Sequence, residues 1–552
     1  MDSFLLYYLG IFCIYYFTGR AFYLTISKDK LKNDSVFDIK VENFYLILGL
    51  IIFSQFLFIF NFFKGLNNFN LTYFLIVITV GNLRYLKIPK FSIHQLIKLA
   101  VILLFFVSFY DLGLSKDSYL YHLQSQNWIL SEKIVFGLSN LNPYLGYMSI
   151  SEYSTSLLIN INLNLAHTFN LVFLITFFWI MFEFIFSKIN FYKNLAFGFG
   201  FMGILDNFGF DGGRNGFVAL QEINKFDYSF SIVSIFFIIF SIYLLVFKKN
   251  IHKSELMFLS LFLIFAIQMR VFGIILFPVL FYIQLRFKTF SSSTNFSFLL
   301  LIFWLIKNFI NTSCFLYPIK FSCLNSNWLF KNQAEYISSI VLDSFRDPEN
   351  GINSINNYDW IFNVFLPNNK FVLTNFFISI IIFRVIFSRF TRHSKILNKK
   401  YNSYFLVIAT FLIFLWILMF PQYRFSTFFL MASFLLINFD LISAQSDINL
   451  KLNLLISVIA LALVINLNDY KSFIENPRKN IETILPIIEY ENRSYYGVKP
   501  LSENSKGILC FLKKDCYTGD YRLNLDVNKY GYKTIATLDK NYYKNLFNSI
   551  SK

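Results

Sequence analysis

FVLTNFFISIIIFRVIFSRFTRHSKILNKKYNSYFLVIATFLIFLWILMF, residues 371–420, decides the fold class. Two apolar runs, Phe371 to Phe387 and Tyr404 to Phe420, are joined by the basic segment RFTRHSKILNKK. A helix of about 17–25 mainly apolar residues spans the hydrocarbon core of a bilayer. The five cations between the runs, Arg389, Arg392, Lys395, Lys399 and Lys400, mark a connection that stays on the cytoplasmic side. The stretch reads as two membrane helices and the loop that turns them.

The rest of the chain repeats this grammar. Of 552 residues, 56% are hydrophobic and only 15% charged, too little charge for a soluble protein of this length. About fourteen apolar segments follow one another between Phe4 and Leu467. The fold class is therefore an all-α polytopic membrane protein with about 12–14 transmembrane helices. A net charge of +17 would suit a nucleic-acid binder, but the basic residues sit in short clusters between apolar runs. No nucleic-acid signature accompanies them, so no nucleic acid is expected as a partner, and membrane lipids are.

Three more clusters orient the chain. Lys28, Lys30, Lys32 and Lys40 form one; Arg84, Lys87, Lys90 and Lys98 a second; Lys248, Lys249 and Lys253 a third. Placing all of them in the cytoplasm sends the polar stretches 111–153, 206–227 and 311–370 to the outer face, together with both termini. The organisation expected is N-terminal helices over 1–110, an outward loop over 111–153 and a helical core over 154–467. Residues 468–552 are polar and carry alternating runs such as YGYKTIATL, which predict a small outward-facing soluble α/β appendage. The first apolar run lacks a basic n-region and a cleavage site and is expected to remain as a span. Cys314 with Cys323 and Cys510 with Cys516 fall outside, where they suit either disulfides or unpaired thiols. With no CxxC and no His/Cys cluster, structural zinc is not expected.

Polar residues at the outer ends of spans are the candidates for chemistry. In SKDSYLYHLQSQNW, from Ser115, helical spacing puts Tyr121, Gln124 and Trp128 on one face and His122, Gln126 and Ile129 on another. Such a helix would lie along the membrane surface with its rings at headgroup level. Asp117 stands at its start, where an acid also serves simply as a helix cap. Arg270, Lys307 and Arg424 interrupt apolar runs on the same outer face; near an interface such side chains also snorkel at little cost. An acid opposite several cations suits a lipid-linked phosphate. The glycine-rich DNFGFDGGRNGF, with Asp206, Asp211, Gly212, Gly213 and Arg214, offers backbone amides to an anion or is simply a turn. VFGLSNLNPYLGY supplies Asn140 and several tyrosines as candidate sugar contacts, residue types that equally suit a wet loop.

These residues carry a resemblance. DSYLYHLQSQNWILSEKIVFGLSNLNPYLGY, Lys307-Asn308 before Tyr317-Pro318, and Pro421, Arg424 and Phe425 are similar to patches of a family of uncharacterised bacterial polytopic proteins. That family in turn resembles the GT-C glycosyltransferases. Where the family has His-Gly-Arg, this chain has Asn142, Pro143 and Tyr144, and it lacks the adjacent acid pair of many GT-C members.

The resemblance implies a GT-C-like enzyme of the bacterial inner membrane. It would move a sugar from a lipid-linked donor, a polyprenyl phosphate, to a cell-envelope glycan or lipid. Asp117 carries over as the catalytic acid, with His122 as a second acid/base candidate. Arg270, Lys307 and Arg424 are candidate donor-phosphate contacts; Tyr121, Gln124, Trp128 and Asn140 are candidate acceptor or loop contacts. The cofactor is left open: a divalent cation, Mg or Mn, is the candidate, with Asp117 its candidate ligand. Two other readings stand beside this one, an envelope polysaccharide polymerase or ligase, and a lipid or solute transporter without enzymatic activity.

Overall fold

The computed structural model describes residues 2–26, 35–83, 93–110, 112–114, 117–208, 222–289, 292–326, 328, 332–346, 359–389, 391–392, 398–419, 421–465, 467–477, 498–500, 516–518, 523–527 and 531–537. The chain is an all-α polytopic membrane protein. Among the described residues, seven helices are long and apolar enough to cross a bilayer: Ser3–Ile26, Val41–Asn61, Leu163–Phe186, Asp227–Phe247, Thr294–Thr312, Ile361–Ser388 and Asn402–Met419. The pair Leu450–Val464 and Asn468–Glu475, bent by 73°, makes an eighth if it is a single broken span.

Other apolar runs are helical but shorter. Leu71–Leu83, Ile93–Phe105, Lys253–Met269, Phe277–Phe287 and Ser426–Ile437 fall below a full span in length. Every side chain from Glu255 to Met269 is buried. An apolar run announces dry surroundings, and a helix walled in by other helices satisfies it as well as one facing lipid.

The first two helices show how closely the bundle is drawn together. A Cβ on Gly19 would lie 1.9 Å from the Tyr45 carbonyl oxygen, and one on Gly49 would lie 1.6 Å from that of Tyr15. Only glycine on both sides allows this backbone-to-backbone crossing.

One helical hairpin sets the polarity of the molecule. The Asp227–Phe247 helix is about 32 Å long at ~1.5 Å per residue. It ends at Lys248, whose Nζ pairs with Asp38 at 2.8 Å. The chain returns through a capping box of His252 and Glu255 and climbs along Lys253–Met269 to Arg270, which pairs with Asp227. The lysine cluster and Arg270, assigned to opposite faces by charge pattern, thus lie at opposite ends of one hairpin. At the lysine end, the turn carrying Phe37 and Asp38 inserts the Phe37 ring flat against Phe240, with centroids 4.3 Å apart.

The segment after Asp117 differs from its expectation. Ser118–His122 is a wide π turn leading into the α-helix Leu123–Ser131. Tyr121, His122, Gln124, Gln126, Trp128 and Ile129 are all buried. A helix with one face in the headgroups and the other in water does not form. The cause is a polar zipper: His122 and Ser125 bind Glu152, and Gln126 donates to Thr155, all against the helix Ser151–Ile161.

Cys314 and Cys323 form a disulfide around the Tyr317-Pro318 turn. In the C-terminal part, Val498–Pro500 pairs with Cys516–Thr518 and Leu523–Val527 with Lys533–Thr537, both antiparallel. The last strand is tied to the loop after Leu123–Ser131: Phe136 N donates to Lys533 O and Ile535 N to Phe136 O, each at 2.9 Å. Asp111, Asp211 to Arg214, Lys28, Lys30, Lys32, Arg84, Lys87, Lys90, Lys395 and Cys510 lie outside the described residues.

Candidate functional site

Four helix ends meet at an alternation of two acids and two arginines. Arg424 lies in the turn before Ser426–Ile437, a turn held by Trp416 Nε1 donating to Gln422 O at 3.0 Å and Asn369 to Pro421 O at 3.3 Å. Its guanidinium binds the Asp117 carboxylate at 2.8 Å. Arg270, where the Lys253–Met269 helix ends, binds Asp227 at the mouth of the next hairpin arm. Both guanidiniums lie near the Phe425 ring, 5.7 Å and 4.9 Å from its centroid for Arg270 and Arg424.

The electrostatics of the cluster are shared. Burial pushes the Asp117 carboxyl up, but the charge of Arg424, with His122 and Arg270 behind it, prevails and holds it below the usual carboxylate value. Asp117 caps no backbone N–H with its side chain; the cap reading of this acid does not describe it. Asp227 Oδ2 and Arg424 Nε are buried without a hydrogen-bond partner among the described residues. Each buried polar atom left open asks for an explanation, and a bound ligand or water is one that both atoms of this cluster admit.

Next to this cluster stands a second one. His122 Nδ1 lies 2.6 Å from Glu152 Oε1, and the Ser125 hydroxyl donates to Glu152 Oε2. Glu152 is wholly buried. Because Ser125 bonds the carboxylate and not the imidazole, the three do not form a relay that would activate a serine nucleophile.

An aromatic row leads away from the acids. Tyr121 lies almost parallel to Tyr144 with centroids 6.0 Å apart, Tyr144 to Tyr147 at 6.3 Å, and Tyr147 meets Tyr317 edge-on at 5.5 Å. Gly146 makes room for this, since a Cβ there would come within 2.5 Å of the Tyr317 ring. Tyr144 and Tyr147 keep part of their surface open.

The residues singled out from sequence divide accordingly. Asp117, Tyr121, Arg270 and Arg424 are gathered together, with His122 adjoining them. Lys307 is buried elsewhere on the same side, its ammonium 3.3 Å from Met148 O and from Asn308 Oδ1 and over the Trp304 ring at 4.1 Å. Asn140 is buried and donates to Trp328 O at 2.6 Å and Ile535 O at 2.7 Å, so its amide fastens the C-terminal hairpin. Trp128 lies under Lys533 of that hairpin, and Gln124 is buried between the two ends of its helix. Tyr121, Gln124 and Trp128, the candidate acceptor or loop contacts, are thus all buried in the fold. Glu152 and Asp227 are the acids that the sequence reading passed over. Their signal was there: a lone acid in the Ser/Thr-rich run SISEYSTS, and an acid at the last residue of a predicted outer loop.

No three His, Cys, Asp or Glu side chains gather to hold a metal ion among the described residues. Asp117, the candidate ligand, directs its carboxylate to a guanidinium that would repel a cation. The described groups do not fit a divalent metal, and no step below passes through one. Neither the curated proteins nor the solved structures contain a match to this chain. Residues 1–431 match the model of the family described as Domain of unknown function (DUF8201), and the chain belongs to that family.

Proposed function

We propose that this protein is a membrane glycosyltransferase of the GT-C type, transferring a sugar from a polyprenyl-phosphate donor to a cell-envelope glycan or lipid. In this reading the reaction takes place at the outer face of the bacterial plasma membrane, where both termini and the residue 468–552 appendage also lie. The observation that carries it is the pairing of Arg270 and Arg424 at one ring, beside Asp117, with Arg424 Nε unpaired. Guanidinium forks match phosphate oxygens geometrically and stay charged when partly desolvated. As the glycosidic bond breaks, negative charge grows on the departing phosphate, and fixed cations lower the barrier most at that moment.

The partly open tyrosines supply flat apolar faces with polar tips, the surface that a sugar ring stacks on. An acceptor hydroxyl attacking beside the arginines must lose its proton, and Asp117 and His122 are the groups beside it.

The test uses membranes containing the full-length protein and a panel of polyprenyl-phosphate-linked hexoses and pentoses, with release of free polyprenyl phosphate as the readout. Release from at least one donor, reduced about hundredfold or more in Arg424→Ala, is expected. Wild-type membranes that release none, or a variant as active as wild type, would sink the reading. Translocation of intact donor in proteoliposomes would point to the transporter instead.

A further inference from the structure

We propose that His122 takes the proton from the acceptor hydroxyl and that Glu152 is its positioning residue, while Asp117 occupies Arg424 until donor phosphate replaces it. The proposal rests on the glycosyl-transfer reading above and assigns the proton step within it.

The geometry separates the two candidate bases. Asp117 pairs with Arg424 at 2.8 Å and has Arg270 behind it, and a carboxylate held among guanidiniums stays a weak proton acceptor even when one of them turns to phosphate. His122 has the opposite arrangement. Its Nδ1 faces Glu152 Oε1 at 2.6 Å, so the buried carboxylate accepts a hydrogen bond from Nδ1–H and leaves the Nε2 lone pair outward from the pair. A carboxylate behind an imidazole fixes its tautomer and supports the imidazolium once a proton arrives.

The dyad is itself held firmly. Glu152 Oε2 accepts from Ser125, one turn along from His122, and the Ser156 hydroxyl binds the Glu152 backbone carbonyl. The imidazole is pinned by Phe226, edge-on at 5.3 Å, and by Tyr121, with centroids 4.1 Å apart. His122 makes no further hydrogen bond among the described residues.

Among the described residues, the charged and titratable groups around the dyad include Arg270 and Arg424 on the far side of Asp117 and Tyr153 beside Glu152. Asp117 and Tyr121 face His122 from its own segment, Glu152 from the Ser151–Ile161 helix, and Asp227 lies beyond Phe226. Lys307 acts on Glu152 from the Ser292–Thr312 helix.

The step balances without a co-reactant. The acceptor oxygen forms a bond to the anomeric carbon as its proton passes to His122 Nε2. The bond from that carbon to the phosphate oxygen breaks, and its electron pair leaves with the polyprenyl phosphate toward Arg424 and Arg270. The imidazolium then returns its proton to solvent or to the departing phosphate.

Two measurements on the full-length protein in nanodiscs test this. Nitrogen NMR of labelled histidine, with His122→Gln to assign the signal, should show the Nδ1–H tautomer in wild type and its loss in Glu152→Gln. In the release assay, Glu152→Gln should lower kcat by about 10²–10⁴-fold at little changed KM, the size of a general-base contribution. Glu152→Asp should recover part of the rate. An Nε2–H tautomer in wild type, or a Glu152→Gln enzyme with wild-type rate, overturns the dyad while leaving glycosyl transfer standing. A wild type that releases nothing from any donor overturns the transfer reading, and the proton step with it.

Discussion

Arg424 and Asp117 are 307 positions apart in the chain and 2.8 Å apart in the fold. The pair ties the loop that carries Asp117 to the last third of the membrane bundle. It also makes phosphate and carboxylate rivals for one guanidinium, and that rivalry has a measurable consequence. Asp117→Asn is expected to bind polyprenyl phosphate about tenfold more tightly, the factor that ~1.4 kcal/mol represents. Arg424→Ala is expected to lose at least as much. Titration of the purified variants with a fluorescent short-chain polyprenyl phosphate measures both, and unchanged affinity in Asp117→Asn would show that the two anions do not compete.

The same pair sets a dependence on pH. The folded-state pKa of Asp117 is depressed below its ordinary 3.8, so its ion pair contributes stability above that value. The contribution is lost as pH falls from there through the depressed value. Thermal stability in detergent should therefore show no Asp117-dependent change between about pH 5 and 8. Below pH ~4 the wild type should fall more steeply than Asp117→Asn, and parallel curves would count against the pair.

Removing the buried carboxylate should cost more than removing that ion pair. Glu152→Ala leaves the His122 N–H and the Ser125 hydroxyl without their acceptor in a dry interior. At about 1–3 kcal/mol for each stranded group, a loss of ~3 kcal/mol is expected. Thermal melting of the detergent-solubilised protein measures it, with Glu152→Gln expected to lose less because the amide keeps one acceptor.

Lys307 makes a useful contrast with the arginines. Its contacts are Met148, Asn308 and Trp304, none of them shared with Arg270 or Arg424. Lys307→Met fills the same space but takes the donor from Met148 O and Asn308 Oδ1, so it should cost about 1–3 kcal/mol of stability. Polyprenyl-phosphate binding should change less than about threefold, against tenfold or more for Arg424→Ala. A fall as large as that of Arg424→Ala would place Lys307 on the phosphate.

The crossing of the first two membrane helices should not tolerate bulk. Gly49→Val puts a side chain where the Tyr15 carbonyl already stands. Overpacking costs about 1–3 kcal/mol where atoms can move, and a backbone carbonyl in a helix cannot. Size-exclusion chromatography of the variant is expected to show little monodisperse protein, whereas Gly10→Val, with open space around it, should behave as wild type.

Hydrophobic runs and basic clusters were enough to identify a polytopic helical membrane protein and to send Lys248 and Arg270 to opposite ends of one hairpin. They were not enough to count its spans. Lys253–Met269 is as apolar as a lipid-facing helix, yet it is walled in by neighbours, and composition reports dryness without saying what supplies it. The helical spacing of His122 and Gln126 placed them on one face, but the sequence left that face to water, since its partners Glu152 and Thr155 come from another helix.

By itself, the sequence determined the material of the site: an acid in a polar loop and cations breaking apolar runs, each costly enough in a membrane to require a partner. Only the tertiary structure decided the partners. It gave Arg424 to Asp117, Arg270 to Asp227 and His122 to Glu152, and it turned Asn140 from a sugar contact into the fastening of the C-terminal hairpin. The reason is that the cost of a buried charge depends on residue type, which is local. Its relief depends on which distant group the packed helices bring within about 3 Å, and no spacing along the chain encodes that.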